Sequence, residues 1–475
     1  MKKTKIIATI GPNSNNKETI REMVLSGCDV IRINLSHASS KFCDEVIDLV
    51  REVERELNKP IGIMLDTNGP SVRLDEIKEE KVFLKKDREI KLYSYPVLCN
   101  NTQISVNYGE IVSDLEIGNV LLLNDGTVSI EVIDIFEDYV LCKIIDEGYI
   151  YSRQSVHLKN GSFNIPFMNK PDYDSILYGI KKNIDFLALS YVRDEQDVLM
   201  VVDMLIENGN SHMAIISKIE TANAVNNIEE ILKVSDGVMV ARGDLGIELS
   251  LERLPYFQKT ILNHAREQEK ISIVATDLLE SMENNDQPSR AEVSDIYNAV
   301  MDKCDAVMLS GETTTGNYPI EAVKTMTRVI ESAEEDFDYL DNLNMTLRDI
   351  KQDITSSIAY SVVDSSLRLS TSAIIANTNS GYTARKISHF RPMCPVLGLS
   401  PSIETIRLLT LVYGIIPVQT NECQSTDTIV KMCVKVAKKT LNLVDNDIVI
   451  VTGGFPISNK NTNFMKIEVI NQNNG

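Results

Sequence analysis

Four charged residues stand at the ends of two neighbouring apolar runs, where they could work together on a substrate. Lys218 and Glu220 close AIISKIE, and Arg242 and Asp244 close GVMVARGD. Between the runs, Val225, Ile228, Ile231 and Leu232 recur at helical spacing. Strand, helix and strand of this length make two adjacent parallel strands, because parallel pairing needs a crossover. Their C-terminal ends then lie side by side, with two carboxylates facing one gap. Such a pair suits a hard divalent cation such as magnesium, which takes few protein oxygens and leaves room for substrate oxygens. Lys218 and Arg242 would bind phosphate or neutralise the carboxylates. The amides of Gly243 and Asp244 lead into LGIELSLERLP and are placed to cap a helix and hold an anion. Taken alone, the same residues also read as surface ion pairs on loops.

The elements that must position them occupy a chain of 475 residues with a net charge of −20. That length allows roughly two to four domains. The acidity argues against a nucleic-acid partner. It also means that any positive field must be built locally, which makes Lys and Arg at strand ends more telling. Cysteines at 28, 43, 99, 142, 304, 394, 423 and 433 form no CxxC pair, as in a reduced, cytoplasmic chain. The start, MKKTKIIATIG, runs straight into a strand pattern with no cleavage site, so no secretory leader is expected. No apolar run approaches the roughly 18 residues of a membrane span.

KIIATIG, VIRINLSH and IGIMLDTNG alternate with the helical patterns KETIREMVLSG and SKFCDEVIDLVREVERELNK. From Val72 to Pro166 the pattern breaks into short β-rich runs between Gly, Asn and Asp turns, which predicts a small antiparallel barrel or sandwich. Alternation then resumes with FLALSYVR, AIISKIE, GVMVARGD, ISIVATD and AVMLSGE. Three strands before the insert and five after it make a TIM (β/α)8 barrel with its site at the C-terminal strand ends. Nearly every predicted strand ends in polar chemistry: Arg32, Asn34 and Ser36; Asp66 and Thr67; Ser190 and Arg193; then the two pairs above, Thr276, and Ser310 with Glu312. The expected organisation is a barrel over residues 1–71 and 167–339, an all-β lid over 72–166 and a doubly wound α/β domain over 340–475. In that last domain SAIIANT, PVLGL, GIIPVQT and DIVIVTGG read as strands. The loop of Thr378, Asn379, Ser380, Gly381, Tyr382 and Thr383 joins a strand to a helix, a position suited to phosphate. A second loop, GGFPISNKNTN, follows the fourth strand. In both loops the alternative is that Gly and Ser merely make turns.

KIIATIGP, IRINLSH, MLDTNGP, ISKIE, VMVARGDLGIE, ATDLLESM, PSRAEVSDIYNAV and VMLSGETTTGNYP stand in order along the barrel, and TNSGYTARKISHFRP follows in the C-terminal domain. Together they resemble the pyruvate kinase family, although the likeness thins in the insert. The resemblance implies phosphoryl transfer from phosphoenolpyruvate to ADP, giving pyruvate and ATP. It implies magnesium or manganese on Glu220 and Asp244, and potassium on Asn34, Ser36, Asp66 and Thr67. Asn34, His37 and Arg73 would lie towards the nucleotide. A homotetramer and a sugar-phosphate or nucleotide-phosphate effector at Thr378–Thr383 are further expectations. Phosphoryl transfer needs positioning and charge neutralisation, which assigns Lys218 and Arg32 to the phosphoryl group in flight. The Gly243 and Asp244 amides would hold the substrate carboxylate. Thr276 would relay a proton to the enolate through water, because a threonine is too weak an acid alone. Ser310 and Glu312 would stand behind it.

Several positions depart from the family pattern. Ser71 replaces the usual Glu or Lys, Asn68 a common Lys, and Asp277 a common Gln. RQSVHLKN, with Arg153, Gln154 and His157, stands in place of KGVNLPG, and NKPD in place of SEKD. Two rival readings follow: a catalytically weak regulatory paralogue, favoured by the altered lid, and a magnesium-dependent enolate-forming aldolase, which has no use for potassium ligands or a nucleotide lid.

Overall fold

The structure is a computed structural model that describes residues 1–36, 38–159, 161, 163–210, 212–348, 352–422, 425–454 and 461–471. Eight parallel strands close into a barrel: β1 (Lys5–Thr9), β2 (Val30–Asn34), β3 (Gly62–Asp66), β4 (Phe186–Leu189), β5 (Ala214–Ile219), β6 (Gly237–Ala241), β7 (Ile271–Ala275) and β8 (Ala306–Leu309). Each pairs with its neighbours in chain order, and β1 closes the ring on β8. Both faces of these strands are covered, which is why they read as continuous apolar runs rather than alternating ones. Ile6, Ile31, Ile33 and Val240 face the surrounding helices, while Ile7, Met64, Phe186, Ile216 and Met239 fill the lumen.

The insert follows β3. Its larger sheet orders the strands Val156–Leu158, Val120–Leu123, Val128–Ile135, Tyr139–Asp146, Glu89–Tyr93 and Gln103–Ser105, and a separate pair joins Val82–Leu84 to Gly148–Ile150. Glu89–Tyr93 and Gln103–Ser105 run parallel, and Ile111–Asp114 is helical. The sequence pattern predicts neither feature. The connection 94–102 crosses back over the sheet, which a tight hairpin cannot do.

The C-terminal sheet has the order β11 (Ile415–Gln419), β10 (Val396–Ser400), β9 (Ala373–Asn377), β12 (Ile448–Gly453) and β13 (Phe464–Val469). The last strand is antiparallel and is not among those the sequence predicts. FMKIEV lies at the sheet edge with Lys466, Ile467 and Val469 exposed, so no buried apolar face marks it as part of the core.

This domain plugs the strand-start end of the barrel. The lumen core continues through Phe390, Leu409 and Leu411 into it, and the Lys5 ammonium donates to the Ile415 carbonyl at 2.6 Å. Gly62 has no side chain because a Cβ there would meet Thr410 Oγ1 at 2.5 Å and Phe186 at 2.8 Å. With that end of the lumen plugged, the barrel opens at the strand ends under the insert.

Candidate functional site

At those strand ends the charged residues form a buried, cross-linked cluster. Arg32, in the middle of β2, donates through Nε to Asp66 Oδ2 at 2.7 Å and through Nη1 to Thr9 Oγ1 at 3.0 Å. The Lys218 ammonium lies 3.2 Å from Asp66 Oδ1 and 2.8 Å from Glu220 Oε1, and it donates to Ser190 Oγ at 2.8 Å. Lys218 and Glu220 are two apart at the end of β5 and project to one side, as strand geometry requires. Burial pushes the Asp66 carboxyl up, but the Arg32 and Lys218 cations outweigh it and hold the group below the usual range. Burial opposes the Lys218 charge, and Asp66 and Glu220 overcome it and raise the ammonium above its ordinary value. Glu220 goes the other way: burial lifts it to about 7, Lys218 pulls it down and Asp244 pushes it up again.

Tyr191 ties the two carboxylates together, and sequence reasoning missed it. Its amide donates to Glu220 Oε2 at 2.6 Å and its hydroxyl to Asp244 Oδ1 at 3.3 Å. It holds a left-handed φ of 56°, strained for a bulky residue, two residues past β4. The only sequence signal was an aromatic residue between two chemistry-bearing positions in LSYVR. Among the described residues no three His, Cys, Asp or Glu side chains converge as a complete cage. Two carboxylates in one gap, the buried Glu220 held against the Lys218 ammonium and Asp244 against the Tyr191 hydroxyl, fit a divalent ion that draws its other ligands from substrate and water.

Arg242 does not face this gap, against the first expectation. It opens the helix Arg242–Glu248 and turns to Asp295, donating at 2.6 Å, and to the Thr276 carbonyl. The carboxylate that recruits it lies on the helix Arg290–Met301, whose position the sequence does not show. Gly243 donates its amide to Thr276 Oγ1 at 2.9 Å, so that amide already has a partner. Thr276 has a φ of 69° and donates to Asp277 Oδ2 at 3.3 Å. Glu312 is buried and accepts the Leu279 amide at 3.0 Å and the Ser310 amide at 2.8 Å. It braces the loops after β7 and β8.

Asn34 and Asp66 stand opposite each other in register on β2 and β3. Asn34 Oδ1 accepts the Ser36 amide at 3.1 Å, and Thr67 Oγ1 accepts the Ser190 amide at 3.1 Å. Ser71 Oγ accepts from Arg73 Nε at 3.3 Å, and Arg73 Nη1 reaches the Arg153 carbonyl at 3.1 Å. His37 lies outside the described residues. The insert closes over the cluster: Ser71, His157, Tyr191, Arg193, Thr221 and Glu248 line a shared cleft. His157 Nε2 is buried without a partner there, and burial keeps the ring neutral by lowering its pKa. In the C-terminal domain, Gly381 (φ 79°) turns the chain into the helix Tyr382–His389. The Asn379 carbonyl accepts from Ser400 and Thr405, and the Thr383 hydroxyl pairs with Thr462 at 2.7 Å. The second loop is described only at residues 453–454 and 461–463.

Comparison with known proteins bears on this geometry. The family profile "Pyruvate kinase, barrel domain" matches residues 1–323, and "Pyruvate kinase, alpha/beta domain" matches residues 356–468. A pyruvate kinase of Staphylococcus epidermidis is 39% identical over 473 residues, covering 99% of this chain and 81% of that protein. One from Sporosarcina psychrophila is 38% identical with the same coverage. A crystal structure of a pyruvate kinase from Cryptosporidium parvum superposes with a TM-score of 0.93 at 33% identity, over 98% of this chain and 96% of that one. Profiles, full-length likeness and architecture agree, and the chain belongs to the pyruvate kinase family of phosphotransferases.

Proposed function

We propose that this chain carries out its phosphoryl transfer, from phosphoenolpyruvate to ADP with release of pyruvate and ATP, at the strand-end cluster around Lys218. One observation carries the reading: a buried ammonium and a buried guanidinium are locked to Asp66 beneath the insert, with Lys218 also 2.8 Å from Glu220. Fixed charge of this kind stabilises a phosphoryl group as it separates, with no reorganisation during the reaction. Lys218 and Arg32 supply that charge. Glu220 and Asp244 hold magnesium or manganese, which when bound adds Lewis-acid polarisation of substrate oxygens. Gly243, Asp244 and Thr276 line the substrate side, with Thr276 orienting a water for proton delivery and Ser310 and Glu312 keeping its loop in place. Asn34, Ser36, Asp66 and Thr67 form a potassium site of neutral and anionic oxygens. Asn34, His37 and Arg73 face the nucleotide.

Residues 72–166 act as the lid on the barrel of 1–71 and 167–339, and 340–475 as a regulatory unit with an effector loop at Thr378–Thr383. Among the described residues no helix is long and apolar enough to cross a membrane. We place the enzyme in the cytoplasm as a homotetramer. A coupled assay for pyruvate tests the reading. Turnover that requires both phosphoenolpyruvate and ADP supports it. Nucleotide-independent pyruvate release from another substrate would favour the aldolase, and no turnover the regulatory paralogue.

A further inference from the structure

A second cationic cleft lies at the other end of the barrel, between the strand starts and the C-terminal domain. Including its open mouth it measures about 450 Å³. Its carboxylates are already committed. Glu269 Oε1 accepts the Lys386 ammonium at 2.6 Å. Asp305 accepts Arg391 at 2.8 Å and the Ser272 amide at 2.9 Å. The remaining Arg391 donors go to the Cys304 and Lys303 carbonyls. The Ser388 hydroxyl donates to the Tyr413 carbonyl.

Three cations remain. Among the described residues, no hydrogen bond or ion pair engages the side chain of Arg266, Lys303 or Arg385, and Arg266 Nε is buried without a partner. Burial and the Arg266 and Arg391 guanidiniums press the Lys303 ammonium down to about 8, against a smaller pull from Asp341. Unscreened like charge is costly in a cleft of partly excluded water, and it stands out in a chain of net charge −20.

The unmatched charged groups are all donors, and the neutral His389 ring beside them can turn an N–H the same way, so a ligand that satisfies them is an acceptor. Planar forks and an ammonium converging from several sides match a tetrahedral dianion, whereas a single carboxylate would neutralise only one of them. We propose that this cleft binds a phosphate group, free or carried by a small phosphomonoester, and that the bound anion clamps the C-terminal domain to the barrel. Arg266 and Lys303 come from the barrel and Arg385 from the helix Tyr382–His389, so the anion bridges the two. That helix begins at the Thr378–Thr383 loop and ends at the cleft, which puts the two positions in line along one rigid element. The inference does not depend on the roles given to the strand-end cluster.

Calorimetric and thermal-melt titrations of the whole chain with inorganic phosphate and with glycerol 3-phosphate, each against chloride at equal ionic strength, test the clamp. The variants are R266M/K303M and, at the exposed rim, R385Q. None alters the strand-end cluster or the Thr378–Thr383 loop, so binding there stays as a constant background. Phosphate should raise the wild-type melting temperature beyond chloride. The double variant should weaken the cleft's binding at least about tenfold, and R385Q should weaken it several-fold. Tighter glycerol 3-phosphate names a phosphomonoester as the ligand, and tighter inorganic phosphate names the free ion. Equal shifts in chloride, or wild-type affinity in both variants, would overturn the proposal. If the double variant does not fold, unchanged affinity in R385Q alone overturns it.

Discussion

Lys218 is hemmed in by Ser190 Oγ, Asp66 and Glu220, all within 3.2 Å, so its charge is held in place before substrate arrives. Replacing it with Met should lower phosphoryl transfer several-hundred-fold, since one preorganised charge is worth about 3 to 4 kcal/mol. Exchange of pyruvate's methyl protons with deuterium, followed by NMR on the same preparation, should survive in large part. Loss of both rates in a folded protein would show that Lys218 serves more than the phosphoryl step. Glu220→Gln or Asp244→Asn removes an anionic ligand of the proposed metal site. The magnesium needed for half-maximal rate should rise and turnover should fall more than about tenfold. Turnover within that range at ordinary magnesium contradicts the assignment. Ser71 itself carries no charge; its hydroxyl accepts from Arg73. Activity should therefore be higher in potassium chloride than in sodium or tetramethylammonium chloride. Equal rates in all three would mark a potassium-independent site.

The helix Arg242–Glu248 carries a titratable group at its far end. Glu248 accepts the Ala222 amide at 3.0 Å. Burial raises its carboxyl from 4.5 to about 7, the Ala222 bond opposing and Asp244 adding to the rise. With the folded value raised, the folded chain keeps a proton that the unfolded chain releases. Its stabilising share is complete below the unfolded value, and it is lost as pH climbs through the folded one. Glu248→Gln keeps an acceptor oxygen and drops the charge. Measured against wild type, the variant's melting temperature should improve between about pH 5 and about pH 8, the equivalent of about 1 kcal/mol or more. Above that it should level off. A constant difference across the range would show that Glu248 does not titrate there.

Across the whole molecule, the barrel and the C-terminal domain share one core and a few directional links. Arg391 is 6% exposed, lies 3.8 Å from the centre of the Tyr413 ring and binds two carbonyls and Asp305 across the junction. Arg391→Met would leave the mostly buried Asp305 without its counter-ion, although the Ser272 amide and hydroxyl still hold it. Breaking a buried pair from one side costs about 3 to 5 kcal/mol, and the Ser272 bonds place this case at the low end. A thermal melt should show a clear drop. A melting temperature that does not move would mean that the shared core alone joins the domains.

Much of this is legible in the residues themselves. Strands buried on both faces leave uninterrupted apolar runs, so β1 to β8 can be counted and their polar ends aligned along the chain alone. Lys218 and Glu220 are bound to share a side because strand alternation is local geometry. Edge strands advertise themselves poorly, and β13, exposed at Lys466, Ile467 and Val469, lacks the continuous apolar run of the central strands. Partner choice is beyond the sequence. Arg242 stands beside Asp244 in the chain yet turns to Asp295, 53 residues away, because the helix Arg290–Met301 brings a carboxylate within reach of its guanidinium. Tyr191 becomes the link between Glu220 and Asp244 only once β4, β5 and β6 lie side by side. The cationic cleft at the strand starts has no sequence signature at all, since Arg266, Lys303 and Arg385 belong to distant segments. Periodicity records how each segment meets its own solvent or core; which side chains meet across segments is set by how the segments pack.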